Sequence, residues 1–206
     1  MDLRKGSKRI KSIYKGENYI PGIIVNGRLW HGSPGKVGTA GVSFAAINHK
    51  VYYGLNLSSK DKVTVYSGGI VNSTTVSSGG YLYVSSGGTA NSTTVNSDGY
   101  LTILGGTANS TTVNFIGYLY VSSGGTATNT TANSGADLYV SSGGTANSTT
   151  VDSGAALYVR YRGTANSITV SSGGYLSVYS GGTATNVTSQ TGAKIGVSSG
   201  GYITYK

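Results

Sequence analysis

A Gly-Gly or Arg-Gly pair begins at positions 68, 87, 105, 124, 143, 162, 181 and 200, spaced by 19 residues except for a single interval of 18. Self-similarity at a short fixed period leaves few options, because each unit is one supersecondary piece that buries its apolar side chains only by stacking on the next. Collagen is excluded, since no glycine recurs at every third position and the chain holds 2 Pro. Disorder is disfavoured too: 17 Tyr and a regular supply of Val, Leu and Ile give apolar surface that disordered tracts lack. The short interval falls where Leu101-Thr102-Ile103-Leu104 runs straight into Gly105-Gly106, whereas Leu82-Tyr83-Val84-Ser85-Ser86 precedes the pair before it. One residue is missing from a turn, and none from a strand.

Aligned units report on one structural slot several times over, so the columns show which way side chains point. One column holds Leu82, Leu101, Leu119, Leu138, Leu157, Leu176 and Ile195, and the column two residues on holds Val84, Ile103, Val121, Val140, Val159, Val178 and Val197. Both face inward on a strand of period two. Between them lie Tyr83, Thr102, Tyr120, Tyr139, Tyr158 and Ser177, and before them Tyr81, Tyr100, Tyr118, Asp137, Ala156 and Tyr175, a mixture that belongs outside. A second inward pair is Thr74 with Val76 and its equivalents, where Ile168 and Val187 replace the threonine. The intervening column is threonine throughout (Thr75, Thr94, Thr112, Thr131, Thr150, Thr169, Thr188) and forms an outward ladder. Ala90 and Val95 are five apart and cannot share one face of a regular strand, so the chain bends near Asn91. Each unit is thus about three short strands joined at Gly, Ser and Asn corners such as Gly79-Gly80 and Gly87-Gly88.

The fold class that follows is all-β: a parallel β-solenoid of about eight coils, a β-helix whose expected hand is right because parallel crossovers are right-handed. Coils stacked at about 4.8 Å make a rod of roughly 40 Å with one continuous apolar axis. The solenoid is expected over 51–206, beginning with a degenerate coil in which Val63 and Val65 align with Leu82 and Val84. Ahead of it, 19–50 reads as a small N-terminal β cap, with Asn26-Gly27 between apolar runs as a hairpin signal. Residues 1–18 read as a basic flexible arm. The C-terminal Tyr202-Ile203-Thr204-Tyr205-Lys206 stops within a coil, so the array is expected to be open or truncated there.

Charge narrows the partners. Eight basic residues against Asp2 and Glu17 fall within 1–36, while the whole chain carries a net +9. Such an arm can bind nucleic acid or an anionic surface, but with no aromatic or motif pattern beside it the reading is a solvated tail with no specific nucleic-acid partner. There is no Cys, so disulfides and thiolate metal sites are excluded, and no cofactor or metal is expected. No apolar run suits a signal peptide or membrane span, so export and anchoring are expected to need sequence outside this chain. Catalysis is not expected: the only histidines are His31 and His49, and Asp98, Asp137 and Asp152 are scattered over different slots. Arg160 and Arg162 replace corner residues and read as drift at a tolerant turn. The N-glycosylation triplets at Asn56, Asn72, Asn91, Asn109, Asn129, Asn147 and Asn186 mostly follow from the repeat itself. The outward tyrosines Tyr81, Tyr83, Tyr100, Tyr118, Tyr120, Tyr139 and Tyr158 read equally as a carbohydrate- or protein-binding face and as rings stacked from coil to coil.

Along Ser85-Ser86-Gly87-Gly88-Thr89-Ala90-Asn91-Ser92-Thr93-Thr94-Val95 and Ser78-Gly79-Gly80-Tyr81-Leu82-Tyr83-Val84, the chain resembles the passenger repeats of AIDA-type (diffuse-adherence) self-associating autotransporter adhesins. The likeness covers about 63–206. It implies a passenger module displayed at the bacterial cell surface or outer membrane, or secreted, that binds host-cell or bacterial surface receptors and itself. It also implies serines decorated with heptose by a dedicated glycosyltransferase, with Ser85, Ser86, Ser122, Ser123, Ser141 and Ser142 as candidate acceptors. The family's signal peptide and translocating β-barrel are not in this sequence, so membrane attachment would come only through a missing anchor. Two alternatives of other classes are a β-helix polysaccharide-active enzyme and an ice-binding solenoid using the Thr94 ladder.

Overall fold

The computed structural model describes residues 51–206 apart from Lys60, and ahead of them the backbone of the strands Ile13–Lys15, Asn18–Ile20, Ile23–Val25, Arg28–Trp30 and Ser43–Ala46. The rest of the basic arm (1–18) and of the cap (19–50), with His31 and His49, lies outside the described residues. Ile23–Val25 pairs antiparallel with Arg28–Trp30 across the two residues Asn26 and Gly27.

The described coils form a solenoid of two facing parallel sheets, with no helix among the described residues. One sheet stacks nine strands, from Ser43–Ala46 through Lys62–Val65, Tyr81–Ser85, Tyr100–Leu104, Tyr118–Ser122, Asp137–Val140, Ala156–Val159 and Tyr175–Val178 to Lys194–Val197. Register matches the repeat: Leu82 lies on Leu101, Leu101 on Leu119, and Leu119 on Leu138. The ladder also reaches back beyond the degenerate coil, since Phe44 and Ala46 register on Val63 and Val65.

The other sheet shows how inward residues five apart coexist. From Thr107 onward, the two short strands expected per coil fuse into one of seven residues: Thr107–Val113, Thr126–Ala132, Thr145–Val151, Thr164–Val170 and Thr183–Ser189. The fourth residue of each is left-handed, with φ of 55° at Ser110, 54° at Asn129, 56° at Ser148, 57° at Ser167 and 54° at Asn186. That single inverted residue breaks the alternation, so Ala108 and Val113 both point into the core. From Thr107 on, each coil is therefore two strands with a kink, while earlier coils keep the three short strands expected, as in Tyr81–Ser85, Thr89–Asn91 and Thr94–Val95. Ser and Asn suit the kink because their short polar side chains tolerate positive φ.

Between the sheets lies one continuous dry core made of the Leu82, Val84, Ala90 and Val95 rows. The chain turns twice per coil with closed turns. In Ser122-Ser123-Gly124-Gly125, the Gly125 N–H donates to the Ser122 carbonyl at 2.8 Å, and Ser123 and Gly124 both have positive φ, 53° and 76°. This is a type I′ geometry, which calls for glycine. Corners stack as ladders too, with Ser123 N–H donating to Ser142 O at 3.0 Å and Gly143 N–H to Arg162 O at 2.8 Å. At the 18-residue interval Leu104 still pairs with Ser85 and Ser122, so the deletion is confined to the turn.

Side-chain ladders close the polar bookkeeping outside the core. Asn91 Nδ2 donates to Asn72 Oδ1 at 2.9 Å and Asn109 Nδ2 to Asn91 Oδ1 at 3.0 Å, while Asn96, Asn114 and Asn133 form a second column. A sugar on Asn91 or Asn109 would replace one of the two Nδ2 hydrogens and crowd this column. Inside, the picture reverses: Thr74, Thr93, Thr111, Thr130 and Thr149 are buried, and their hydroxyls have no hydrogen-bond partner. The same slot takes Ile168 and Val187, both buried. An unsatisfied buried hydroxyl costs about 1–3 kcal/mol, so Thr130→Val and Thr149→Val are each expected to raise stability by about 1 kcal/mol. The urea midpoint would move upward; a downward shift would show that these hydroxyls are satisfied.

Candidate functional site

Two outward features recur from coil to coil, a tyrosine face on the first sheet and a serine row along one corner. On the tyrosine face, the residues before and between the inward Leu and Val have no option but to point out. Parallel in-register stacking then places equivalent rings one above the next. Tyr81, Tyr100 and Tyr118 stack with centroids 4.9 and 5.0 Å apart and planes within 11°. Tyr120, Tyr139 and Tyr158 repeat this in the neighbouring column, at 5.0 and 4.9 Å and within 13°. All six rings are half-buried. Each such pair contributes about 0.5–1.5 kcal/mol beyond burial, so the face stiffens the rod and also presents an aromatic wall. Tyr83 sits 6.3 Å from Tyr81 within one strand and adds width rather than height.

Arg160 has a definite role that its position in a turn did not reveal. Its guanidinium lies 4.8 Å from the Tyr139 ring centroid, 6.0 Å from Tyr158 and 5.9 Å from Tyr179, laying a cation across the aromatic column. Arg162, at φ 58°, leans on Tyr161 at 5.2 Å.

Burial pushes the phenols up. Tyr139 is pushed up to about 12, first by desolvation and then by Asp137, Tyr120 and Tyr158, with Arg160 pulling the other way. Tyr100, Tyr120 and Tyr158 shift in the same direction, each chiefly by desolvation. A folded value above the unfolded one favours the fold fully below the ordinary tyrosine value of 10.0 and loses that contribution as pH climbs to about 12. Phenolate absorbance is therefore expected to rise late for these rings, with stability falling over the same alkaline window. A single titration at the ordinary tyrosine value would refute the buried stack.

The serine row runs along the corner that follows each first-sheet strand. Of the candidate acceptors, Ser86, Ser123 and Ser142 are exposed, whereas Ser85, Ser122 and Ser141 are partly covered where the strand ends. One serine per coil thus faces solvent, about 4.8 Å from the next when coils are adjacent. The row is broken where the deleted residue leaves the exposed Leu104, and again at Tyr161. The opposite corner carries exposed Ser97, Ser134, Ser153 and Ser172, which sequence reasoning passed over although they occupy an equally regular slot.

The carboxylates do not converge. Asp98 and Asp152 occupy turns and Asp137 the tyrosine face, each in a different coil, and no group of three metal-ligating side chains exists among the described residues.

Comparison with known proteins places this geometry. The family described as "Adhesin of bacterial autotransporter system, probable stalk" matches residues 96–155 and 123–174. Among solved structures, the crystal structure of a TibC-catalysed hyper-glycosylated TibA fragment is similar, with 41% identity and a TM-score of 0.74. The match covers 82% of this chain and 61% of that fragment, so the chain spans less than two thirds of its relative. No curated protein matches.

Proposed function

We propose that this chain, whose coils are AIDA-type autotransporter passenger repeats, is the rod of a bacterial surface adhesin that promotes cell–cell and cell–host attachment and carries sugars on its corner serines. The observation that carries this reading is the row of exposed corner serines on a solenoid that is 41% identical to a hyper-glycosylated fragment. A rigid rod with serines at repeating corner positions fixes the spacing of any attached sugar, and stacked coils supply the stiffness that holds a binding face away from a cell. The work of the chain on this reading is binding and spacing rather than catalysis. Host-cell receptors, self-association, a serine-modifying heptosyltransferase and surface or secreted localisation all belong to this proposal.

The test is co-expression with TibC, followed by intact mass and a clumping assay with the chain displayed on cells. Mass should rise in sugar-sized increments. The number of increments should fall in Ser86→Ala, Ser123→Ala and Ser142→Ala, with the fold retained. Unchanged mass would remove the glycosylation part, and the absence of clumping or surface binding would remove the adhesive part.

A further inference from the structure

The tyrosine ladder steps sideways once, and the step leaves a hollow. Up to Tyr118 the rings occupy the first outward slot of each strand, which then passes to Asp137 and Ala156 before returning to Tyr175 and Lys194. The second outward slot holds Thr102, carries rings from Tyr120 through Tyr139 to Tyr158, and then changes to Ser177 and Gly196. At this crossing, continuous stacking fails: Tyr158 and Tyr175 lie 6.1 Å apart with their planes at 56°, against 13° or less in the regular columns. At this crossing lies an open depression of about 580 Å³ lined by Asp137, Ala156, Tyr158, Tyr175, Tyr179 and Lys194, among others.

We propose that this notch binds a sugar residue, its C–H face against a tyrosine ring and its hydroxyls divided between the Asp137 carboxylate and the Lys194 ammonium. The chemistry is specific to that class. Ring faces carry negative charge density that attracts polarised C–H edges. A carboxylate only accepts and an ammonium only donates, whereas a sugar hydroxyl does both; with Asp137 and Lys194 three coils apart, at about 4.8 Å per coil, the two charges meet hydroxyls at opposite ends of the sugar. A purely apolar ligand would strand the two charges, and a simple anion would meet the carboxylate. Asp137 accepts a hydrogen bond from Tyr139, which orients its carboxylate. The inference rests on the adhesive reading for its biological setting, but not for its chemistry. Two sources share that chemistry: a sugar on the corner serine of a second copy, and a foreign surface polysaccharide.

The test uses the full, unglycosylated, isotope-labelled chain titrated with methyl glycosides of common hexoses and of a heptose, read by backbone amide NMR. Shifts are expected at Gly154, Ala156, Gly173 and Lys194, and binding should weaken at least tenfold in Ala156→Tyr and in Asp137→Asn. The first variant inserts the residue this slot already holds at Tyr118 and Tyr175, and the second leaves the notch open, so a folding failure in one does not protect the idea. No shifts with any glycoside, or shifts undiminished in both variants, would overturn it. Adding glycosylated, unlabelled chain distinguishes the sources: notch shifts then assign the ligand to a second copy, and shifts only with free polysaccharide fragments assign it to a foreign glycan. If Ala156→Tyr cells still clump while glycosides never bind, the notch falls and the adhesin stands. Glycoside binding without clumping leaves the notch and removes the adhesin.

Discussion

Leu138→Ala is expected to destabilise the solenoid by about 2–5 kcal/mol, the usual cost of a buried leucine truncated in a packed core. Leu138 is 1% exposed and lies in register between Leu119 and Leu157, which are equally buried. Those neighbours cannot fall into the cavity, because their backbones are held in parallel ladders at about 4.8 Å spacing. The cost should therefore sit toward the upper end of the range. The position also matters: each coil touches only the coils beside it, so a weak central coil uncouples the two halves of the array. A urea melt should show a lowered midpoint, and hydrogen exchange should show Tyr118–Ser122 and Ala156–Val159 losing protection together. An unchanged midpoint would mean that the leucine row is not a shared core.

The second large effect comes from removing no atoms at all. Gly144→Ala would place a Cβ 2.2 Å from the Val121 carbonyl oxygen and 2.5 Å from its carbon, and both belong to the backbone of the preceding coil. The atoms met are backbone, so the coils must shift locally to admit the methyl, and overpacking of this kind costs about 1–3 kcal/mol. Two comparisons isolate the cause. At Gly124 an added Cβ meets nothing within 4 Å but φ is +76°, so Gly124→Ala should cost only the left-handed strain of about 1–2 kcal/mol. Ala136 and Ala155 already fill the last position of the opposite corner and lie within the core, so Ala136→Gly should lose stability there. Thermal melts of the three variants should rank Gly144→Ala as the most damaging. Equal losses at Gly124 and Gly144 would indicate backbone conformation rather than crowding.

Much of the candidate site was readable before any coordinates, because eight near-copies of one unit act as repeated samples of the same environment. The tyrosine columns, the inward Leu and Val rows and the turn-confined deletion all follow from which residue types recur and which vary. Arg160 escaped that logic, since a single substitution in a turn looks like drift until its guanidinium is found over Tyr139. The buried threonines were placed inward from Ile168 and Val187 in their column, but that their hydroxyls lack partners is a fact of the packed interior. The opposite-corner serines were legible in principle, since Ser97, Ser134, Ser153 and Ser172 recur in one slot of the repeat.

Sequence alone settled the period, the parallel register and the identity of the dry rows, because those depend on side-chain alternation and on a repeat that forces each residue over its equivalent. Only the tertiary structure decided that two strands fuse through the left-handed Ser110 and its equivalents, and that the ladder extends back to Ser43–Ala46. It also revealed the open depression beside Ala156. Each of these turns on backbone torsion, or on how side chains of neighbouring coils tilt into space that one coil leaves empty. Neither quantity is written in the residues of a single repeat.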